Sequence, residues 1–318
     1  MSDIVFRPYR EGDETAINDG FNRTFALTRS LEEWHWKFPS EPEGRWIMLA
    51  LDARGALLAH YGAVASRFSI GGEVVRGGQI VDAYAVPEAQ GSRVFTSCYE
   101  EFIRRFGNGD DLPLMFGFPG TRHYEMGLKV LKYVPIGPVP FWRRQLDRQR
   151  LSFRLGVKVR RGFDRGAVDG LWRRAEHRYA CANVRDGAWL VRRLSGRPGA
   201  SYVHLSAWRL GRLEAWAVTR RFDDRMVWVE LLWDGRSRRS LATLASEVLR
   251  EAGRNGCASV DLWLGGDPLA AEVLAELGWV SLPQPDDLRM VARTFHPRVD
   301  LDRMRGELYL TAADSDLV

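Results

Sequence analysis

Val81-Asp82-Ala83-Tyr84-Ala85-Val86-Pro87-Glu88-Ala89-Gln90-Gly91-Ser92-Arg93-Val94-Phe95 decides the fold of this chain. Residues 79–86 have the pattern of a strand stopped by Pro87, a short turn holds Gly91, and a helix is expected from about 92 to 106. A helix that starts from a glycine turn offers unpaired backbone N–H groups and the positive end of its dipole. That is a ready site for a pyrophosphate. Within the strand, Asp82 must point to one face and needs a partner if buried. It is therefore the first candidate for a general base, ahead of His60 and His123.

Toward the N-terminus, residues 4–8 alternate like a strand. Asp13 suits an N-cap for a helix over 14–25, with Ile17, Phe21 and Phe25 on one face. Ser30 and Glu33 have capping-box spacing for a second helix over 31–38. Strands follow at 46–51 and 57–68, with a Gly71-Gly72 hairpin between 68–70 and 74–75. Beyond the helix, a buried strand is expected at 112–118, a helix at 121–131 and a Pro-broken strand at 133–142. A basic connector over 143–165 follows, whose Leu151, Phe153, Leu155, Val157 and Val159 could form one extra strand. Residues 166–318 then repeat the rhythm loosely, with helices at 168–179 and 186–194, strands at 202–208, 212–220 and 226–233, a helix at 237–255, a strand at 259–264 and a helix at 268–277. Two halves with one element order suggest an old duplication, with domains at 1–142 and 166–318.

The first half resembles the GNAT acyltransferase superfamily, whose acyl-CoA signature reads Q/R-x-x-G-x-G/A. It is closer to exopolysaccharide-associated relatives with V-D-x-Y-x-H-P-x-x-R-G-x-G-x-F. Val81, Asp82, Tyr84, Pro87, Gly91 and Phe95 match, while Val86, Gln90 and Arg93 stand in place of His, Arg and the last Gly. Arg29-Ser30-Leu31-Glu32-Glu33-Trp34-His35-Trp36-Lys37-Phe38 is similar to their R-S-x-E-x-W-x-W-K-[FY], on the side that admits the acyl acceptor. Ala59-His60-Tyr61-Gly62 resembles their G-H-Y, Gly117-Phe118-Pro119-Gly120 their G-F-P-N, and Leu131-Lys132-Tyr133 their L-G-[WF]. Residues 185–190 and 309–316 resemble the second domain of such tandem proteins.

The resemblance implies an α/β fold with mixed sheets, as two tandem GNAT-like domains. It implies an N-acyltransferase using acetyl-CoA or another acyl-CoA as co-substrate, without a metal. The acyl-CoA site would be Ala85, Val86, Gln90, Gly91, Ser92, Arg93 and Val94, with a backbone N–H of Ala85 or Val86 facing the oxyanion. Arg29, Trp34, Trp36 and Tyr84 would line the acceptor side, the acceptor being a small amine such as an amino sugar. The family's general-acid position falls on Leu128, so Tyr124, one turn earlier, stands in, and Asp82, Tyr124 and His60 form the catalytic set. Two other readings remain. One is an aminoacyl-tRNA-dependent peptidyltransferase, disfavoured by the lack of a long helical hairpin. The other is a catalytically degenerate GNAT-fold binding protein, suggested by Arg93, Val86 and Leu128. In the second half Trp233-Asp234-Gly235-Arg236-Ser237-Arg238-Arg239-Ser240 has no G-x-G/A spacing, so that domain is expected to be degenerate.

Composition narrows the partners. The 318 residues carry 46 Lys and Arg against 41 Asp and Glu. Four of these are lysines (Lys37, Lys129, Lys132, Lys158), leaving 46 − 4 = 42 arginines spread through both halves. A nucleic-acid footprint would gather on one face with interleaved aromatics; the even spread favours an anionic small substrate over nucleic acid. No apolar run approaches the ~20 residues of a membrane span. The N-terminus lacks a basic leader and an apolar secretion segment, so the cytoplasm is the expected location. Cys98, Cys181 and Cys257 form no CxxC pair and are expected to be reduced and buried. There is no zinc spacing, Walker loop, nucleophile elbow or dinucleotide fingerprint. A homodimer stays open as an assembly.

Overall fold

The computed structural model describes residues 4–39, 44–146 and 156–317. The chain divides into two units that do not follow the expected boundaries. Unit 1 holds residues 1–67, 75–137 and 289–301; unit 2 holds 68–74, 138–288 and 302–318.

Unit 1 begins with β1 (Val5–Pro8), α1 (Glu14–Phe25), α2 (Leu31–Lys37), β2 (Arg45–Leu51), β3 (Leu57–Ile70) and β4 (Glu73–Ala85). It continues with α3 (Val94–Phe106), β5 (Leu114–Gly117), α4 (Thr121–Lys129) and β6 (Val134–Pro138), while the tip of the β3–β4 pair, residues 68–74, falls in unit 2. Ser30 caps α2 as its spacing suggests, its hydroxyl accepting from the Glu33 N–H at 3.1 Å. Asp13 precedes α1 without capping it. Its carboxylate instead takes both Arg7 terminal nitrogens, at 2.6 and 2.7 Å, and the Arg10 N–H at 2.7 Å. Gly71 and Gly72 both adopt positive φ at the expected hairpin, and the stretch 74–75 is continuous with 79–85 in one strand, so β3 and β4 form one long hairpin.

Both faces of this sheet are covered. Ile17, Trp34 and Phe38 from the α1–α2 side pack on Ile47, Leu49 and Val81. On the other face Phe95, Tyr99 and Phe102 of α3 pack on Met48, Tyr61 and Met115. Each such side chain, fully buried, contributes on the order of 1.5–3 kcal/mol.

Unit 2 contains β7 (Phe141–Gln145), β8 (Lys158–Arg161), α5 (Arg165–Ala175), β9 (Cys181–Asn183), α6 (Gly187–Leu194), β10 (Val203–Arg209), β11 (Arg212–Phe222) and β12 (Arg225–Trp233). Then come α7 (Arg238–Arg254), β13 (Ser259–Trp263), α8 (Pro268–Glu276) and β14 (Val280–Leu282). The chain returns to unit 1 with β15 (Arg289–Thr294) and finishes in unit 2 with α9 (Leu301–Glu307) and β16 (Leu308–Tyr309). Helix α7 packs across β10 to β13, and α5 on β11 and β12. Of the connector pattern, Leu151, Phe153 and Leu155 lie outside the described residues, while Val159 enters β8 and pairs with β10.

The strand order is β1-β2-β3-β4-β5-β15-β6 in unit 1 and β14-β7-β13-β12-β11-β10-β8 in unit 2. In each sheet the strand beside the parallel β5 or β13 comes from the far side of the chain. The stretch 133–142 is thus two strands, β6 and β7, belonging to different sheets. The three cysteines are free and buried.

Candidate functional site

β4 and β5 run parallel but pair over only three positions, Gly77↔Leu114 to Gln79↔Phe116. β5 stops at Gly117 while β4 runs on to Ala85. Among the described residues, the β5-facing edge of Ile80 to Ala85 therefore has no ladder partner. At its far end Val86 N–H donates to Leu58 O at 3.0 Å, so this donor is already committed to β3.

A 3-10 turn over Pro87–Ala89 leads to Gly91 at φ +79. A Cβ at Gly91 would meet nothing within 4 Å, so the requirement for glycine is conformational and the turn is open. Helix α3 begins at Val94, two residues later than expected, and no side chain caps it. Val94 N–H reaches only Ser92 Oγ, at 3.3 Å. Gln90 and Arg93 are exposed. Gln90 Nε2 comes to 3.5 Å from Ala85 O.

Asp82 sits at φ +51 in the middle of β4, a left-handed kink that Asp tolerates better than most residues. Its side chain is 1% exposed and holds Arg29 Nη1 at 2.5 Å and Lys37 Nζ at 2.6 Å. Burial works to raise this carboxyl's pKa, but the Lys37 and Arg29 charges outweigh it and hold the group below its ordinary value. A carboxylate so paired has little affinity for a proton. Its chemistry is to anchor two cations.

His60 is fully buried and donates from Nδ1 to the Asp82 carbonyl at 2.5 Å, while Nε2 has no partner. Burial above all pushes it down to about 4, so it is neutral at pH 7. Tyr84 stacks on His60 at 5.4 Å and donates its hydroxyl to Ile17 O at 2.6 Å. Arg29 Nε also donates to Asn18 at 2.7 Å, and its guanidinium lies 3.8 Å over the Phe21 ring. Trp34 has no exposed surface and stacks between Phe38 and Tyr9. Of the four acceptor-side candidates, Arg29 and Tyr84 thus tie α1 and the α1–α2 connection to the kink around Asp82, while Trp34 packs α2 against Tyr9 and Phe38. Trp36 is half-buried.

On α4, Tyr124 is half-buried with the Arg289 guanidinium 5.2 Å over its ring. His123, pushed down to about 4 by burial, lies 3.4 Å from the Tyr133 hydroxyl. Tyr133 shares a short hydrogen bond with Tyr61, and Tyr99 donates to Leu131 O while accepting from Arg293. No local pattern in the sequence links positions 61, 99 and 133. Lys37 lies within the Arg29-to-Phe38 stretch, and its partner Asp82 is 45 residues away.

The corresponding turn of unit 2 is closed by its own side chains. Ser237 caps α7 through the Ser240 N–H at 3.2 Å, and Arg238 pairs with Glu272 and Glu276. Arg178 lies against Gly235, bonded to Trp233 O at 2.6 Å and to Asp267 at 2.9 Å. Nearby on β12, Glu230 is fully buried with Arg185 at 3.1 Å. Burial pushes it up to about 7, against the pull of Arg185. A carboxyl raised above its unfolded value near 4.5 stabilises fully below that pH, and the gain is lost as pH rises through about 7. Glu230→Gln should therefore flatten the fall in unfolding free energy between pH 5 and pH 8, measured by urea titration at each pH. An unaltered slope would assign that fall to other groups.

No group of side chains suited to a metal occurs among the described residues, and none of their helices is long and apolar enough to cross a membrane.

The sequence model of a family described as an acetyltransferase (GNAT) domain matches residues 5–127. No curated protein matches the sequence. Among solved structures, the fold is similar to an Enterococcus faecalis protein of unknown function described as a probable N-acyltransferase. The TM-score is 0.73 at 13% identity, over 93% of this chain and 73% of that one. It is similar to a GCN5-related N-acetyltransferase from Anabaena variabilis, with a TM-score of 0.69 at 11% identity over 92% and 73% of the two chains. It is also similar to Saccharomyces cerevisiae N-myristoyltransferase with bound myristoyl-CoA, with a TM-score of 0.62 at 12% identity over 98% and 90%.

Proposed function

We propose that this chain, whose residues 5–127 match the sequence model of an acetyltransferase (GNAT) domain, takes an acyl group from acyl-CoA bound in unit 1 and passes it to an amine of a small acceptor. The pyrophosphate would rest on the backbone of Gly91 to Val94, with Arg93 free to turn onto it from solvent. The pantetheine arm would run along the unpaired edge of β4, from Ile80 toward Ala85, where its amides find strand donors and acceptors. An N–H on that edge at or before Ala85 would face the oxyanion, since Val86 N–H is engaged with Leu58. Tyr124 remains the candidate proton donor to the departing thiolate. Asp82 and His60 act as positioning residues that fix the kink in β4. The acyl group is acetyl in the simplest case and the acceptor an amino sugar, the class the sequence resemblance implies.

The observation that supports this most is the parting of β4 from β5 directly ahead of the open glycine turn. Calorimetric titration with acetyl-CoA, and with myristoyl-CoA alongside, tests it. Gly91→Val puts a β-branched residue at positive φ, a strain of about 1–2 kcal/mol, and fills the turn. The side chain, standing where the pyrophosphate would approach the backbone, should lower acyl-CoA affinity at least ~10-fold, about 1.4 kcal/mol, while the strain itself appears as a thermal melt lowered by a few degrees. Unchanged affinity in the folded variant would move the site elsewhere. No binding to the native chain at millimolar concentrations would leave a GNAT fold without turnover.

A further inference from the structure

The parallel pair β12–β13 in unit 2 repeats β4–β5. It pairs from Arg225↔Ser259 to Trp228↔Leu262, after which β12 continues through Val229 to Trp233 without β13. In unit 1 this length of strand is open. In unit 2 it has an occupant, the C-terminal segment of the same chain.

The backbone fixes the side on which that segment lies. Leu264 N–H donates to Pro140 O at 3.2 Å, toward β7. Successive residues of an extended strand point their polar groups to opposite sides, so those of Gly265 face β12. There they exchange hydrogen bonds with Leu310, at 3.1 and 3.4 Å. On the other flank, the Tyr309 hydroxyl donates to Leu231 O of β12, and Thr311 Oγ1 donates to Glu230 at 3.2 Å. Asp314 closes the arrangement, accepting from Arg185 at 2.5 Å, the Thr311 N–H at 2.8 Å and Asn183 at 3.1 Å. Tyr309, Thr311, Ala312, Ala313 and Ser315 have no exposed surface. Gly266, at φ +65, admits the segment because any Cβ there would stand 2.5 Å from the Leu308 carbonyl.

We propose that Leu308 to Ser315 is a permanent internal occupant of the second strand gap, lying where an acyl-CoA arm would lie, so that the chain has one acyl-CoA site and not two. A pantetheine arm is an extended chain bearing two amides; Leu308 to Leu310 is likewise extended, its backbone pairing with β9 and Gly265, and the segment meets β12 through the Tyr309 and Thr311 hydroxyls before Ala312–Asp314 turns as a 3-10 helix. The occupant is a fixed part of unit 2, since withdrawing it would strip the buried Arg185 of Asp314 and bare Tyr309. Only the count of sites rests on the reading of unit 1 as the acyl-CoA site; the occupancy itself stands without it.

Hydrogen–deuterium exchange on the full chain, with and without saturating acetyl-CoA, tests the proposal together with calorimetric stoichiometry. Amides of residues 309–315 should exchange at least ~100-fold more slowly than in an unstructured peptide and be unaffected by acetyl-CoA. Stoichiometry should be one per chain, and that one site should be weakened at least ~10-fold in Gly91→Val. Fast exchange of 309–315 in the free protein, deprotection on adding acetyl-CoA, a stoichiometry of two, or a site of undiminished affinity in Gly91→Val would each overturn the proposal. If acetyl-CoA does not bind at all, the reading of unit 1 fails, while slow exchange at 309–315 still upholds the occupant.

Discussion

A chain cut after residue 142 is expected not to fold, although it contains every element of the acetyltransferase match. Its sheet would lack β15, which pairs with β5 from Val291↔Gly117 to Thr294↔Leu114. Leu114, Met115 and Phe116 are at most 1% exposed. Without β15 they become an apolar edge with a row of unpaired backbone groups, the situation that promotes edge-to-edge aggregation. Arg293 would also no longer donate to Tyr99 and Leu131 O. The fragment should be insoluble or lack a cooperative melt. A repaired chain is easily drawn, because Val139 N–H donates to Leu288 O at 3.0 Å and the two cut ends adjoin. Joining residues 1–139 to 288–301 through a short glycine turn should restore a single cooperative transition by circular dichroism. A stable, monomeric 1–142 fragment would show that β15 is dispensable.

Replacing Asp82 should have the largest effect of any single substitution in unit 1. Asp82→Ala leaves the Arg29 and Lys37 charges, 6% and 12% exposed, without their counter-ion. Breaking a buried pair in this way costs about 3–5 kcal/mol, and alanine tolerates the left-handed φ poorly. Asp82→Asn keeps the backbone comfortable and removes only the charge, so it separates the two contributions. The pH dependence has a definite sign. The folded carboxyl lies below its ordinary value, so its stabilisation is present above that value and is lost as pH falls through the folded one. Wild type should lose stability in acid more steeply than Asp82→Asn. Denaturant titrations at pH 7 and pH 3 check both statements. A loss under ~1 kcal/mol in Asp82→Ala, the scale of a surface pair, would mean the cations find other partners.

Local signals carried much of unit 1. The Ser30 cap, the Gly71-Gly72 hairpin and the Gly91 turn each depend on neighbours within a few residues, and each is present in the structure; of the α1 face, Ile17 is buried while Phe25 stays 46% exposed against Tyr84. What depends on distant partners was not legible. Arg289-Met290-Val291-Ala292-Arg293-Thr294 has the composition of a strand, yet nothing in it names β5 as its neighbour. Pro138 and Pro140 resembled breaks in one strand, whereas the chain passes there from one sheet to the other. At the site, Asp82 stood out as a strand carboxylate needing a partner. That the partners are Arg29 and Lys37, which leave it unfit to accept a proton, follows only from the way α2 packs against the kink.

The placement of β15 also sets a timetable for synthesis. Roughly 170 residues separate the end of β5 from β15. At about 5–20 residues per second, the bare edge of β5 waits roughly 9–34 s on the ribosome before its partner strand is made. Early unit 1 is thus a nascent sheet with an open flank, and a holding chaperone that shields strand edges should raise the yield of soluble chain more than one acting after release.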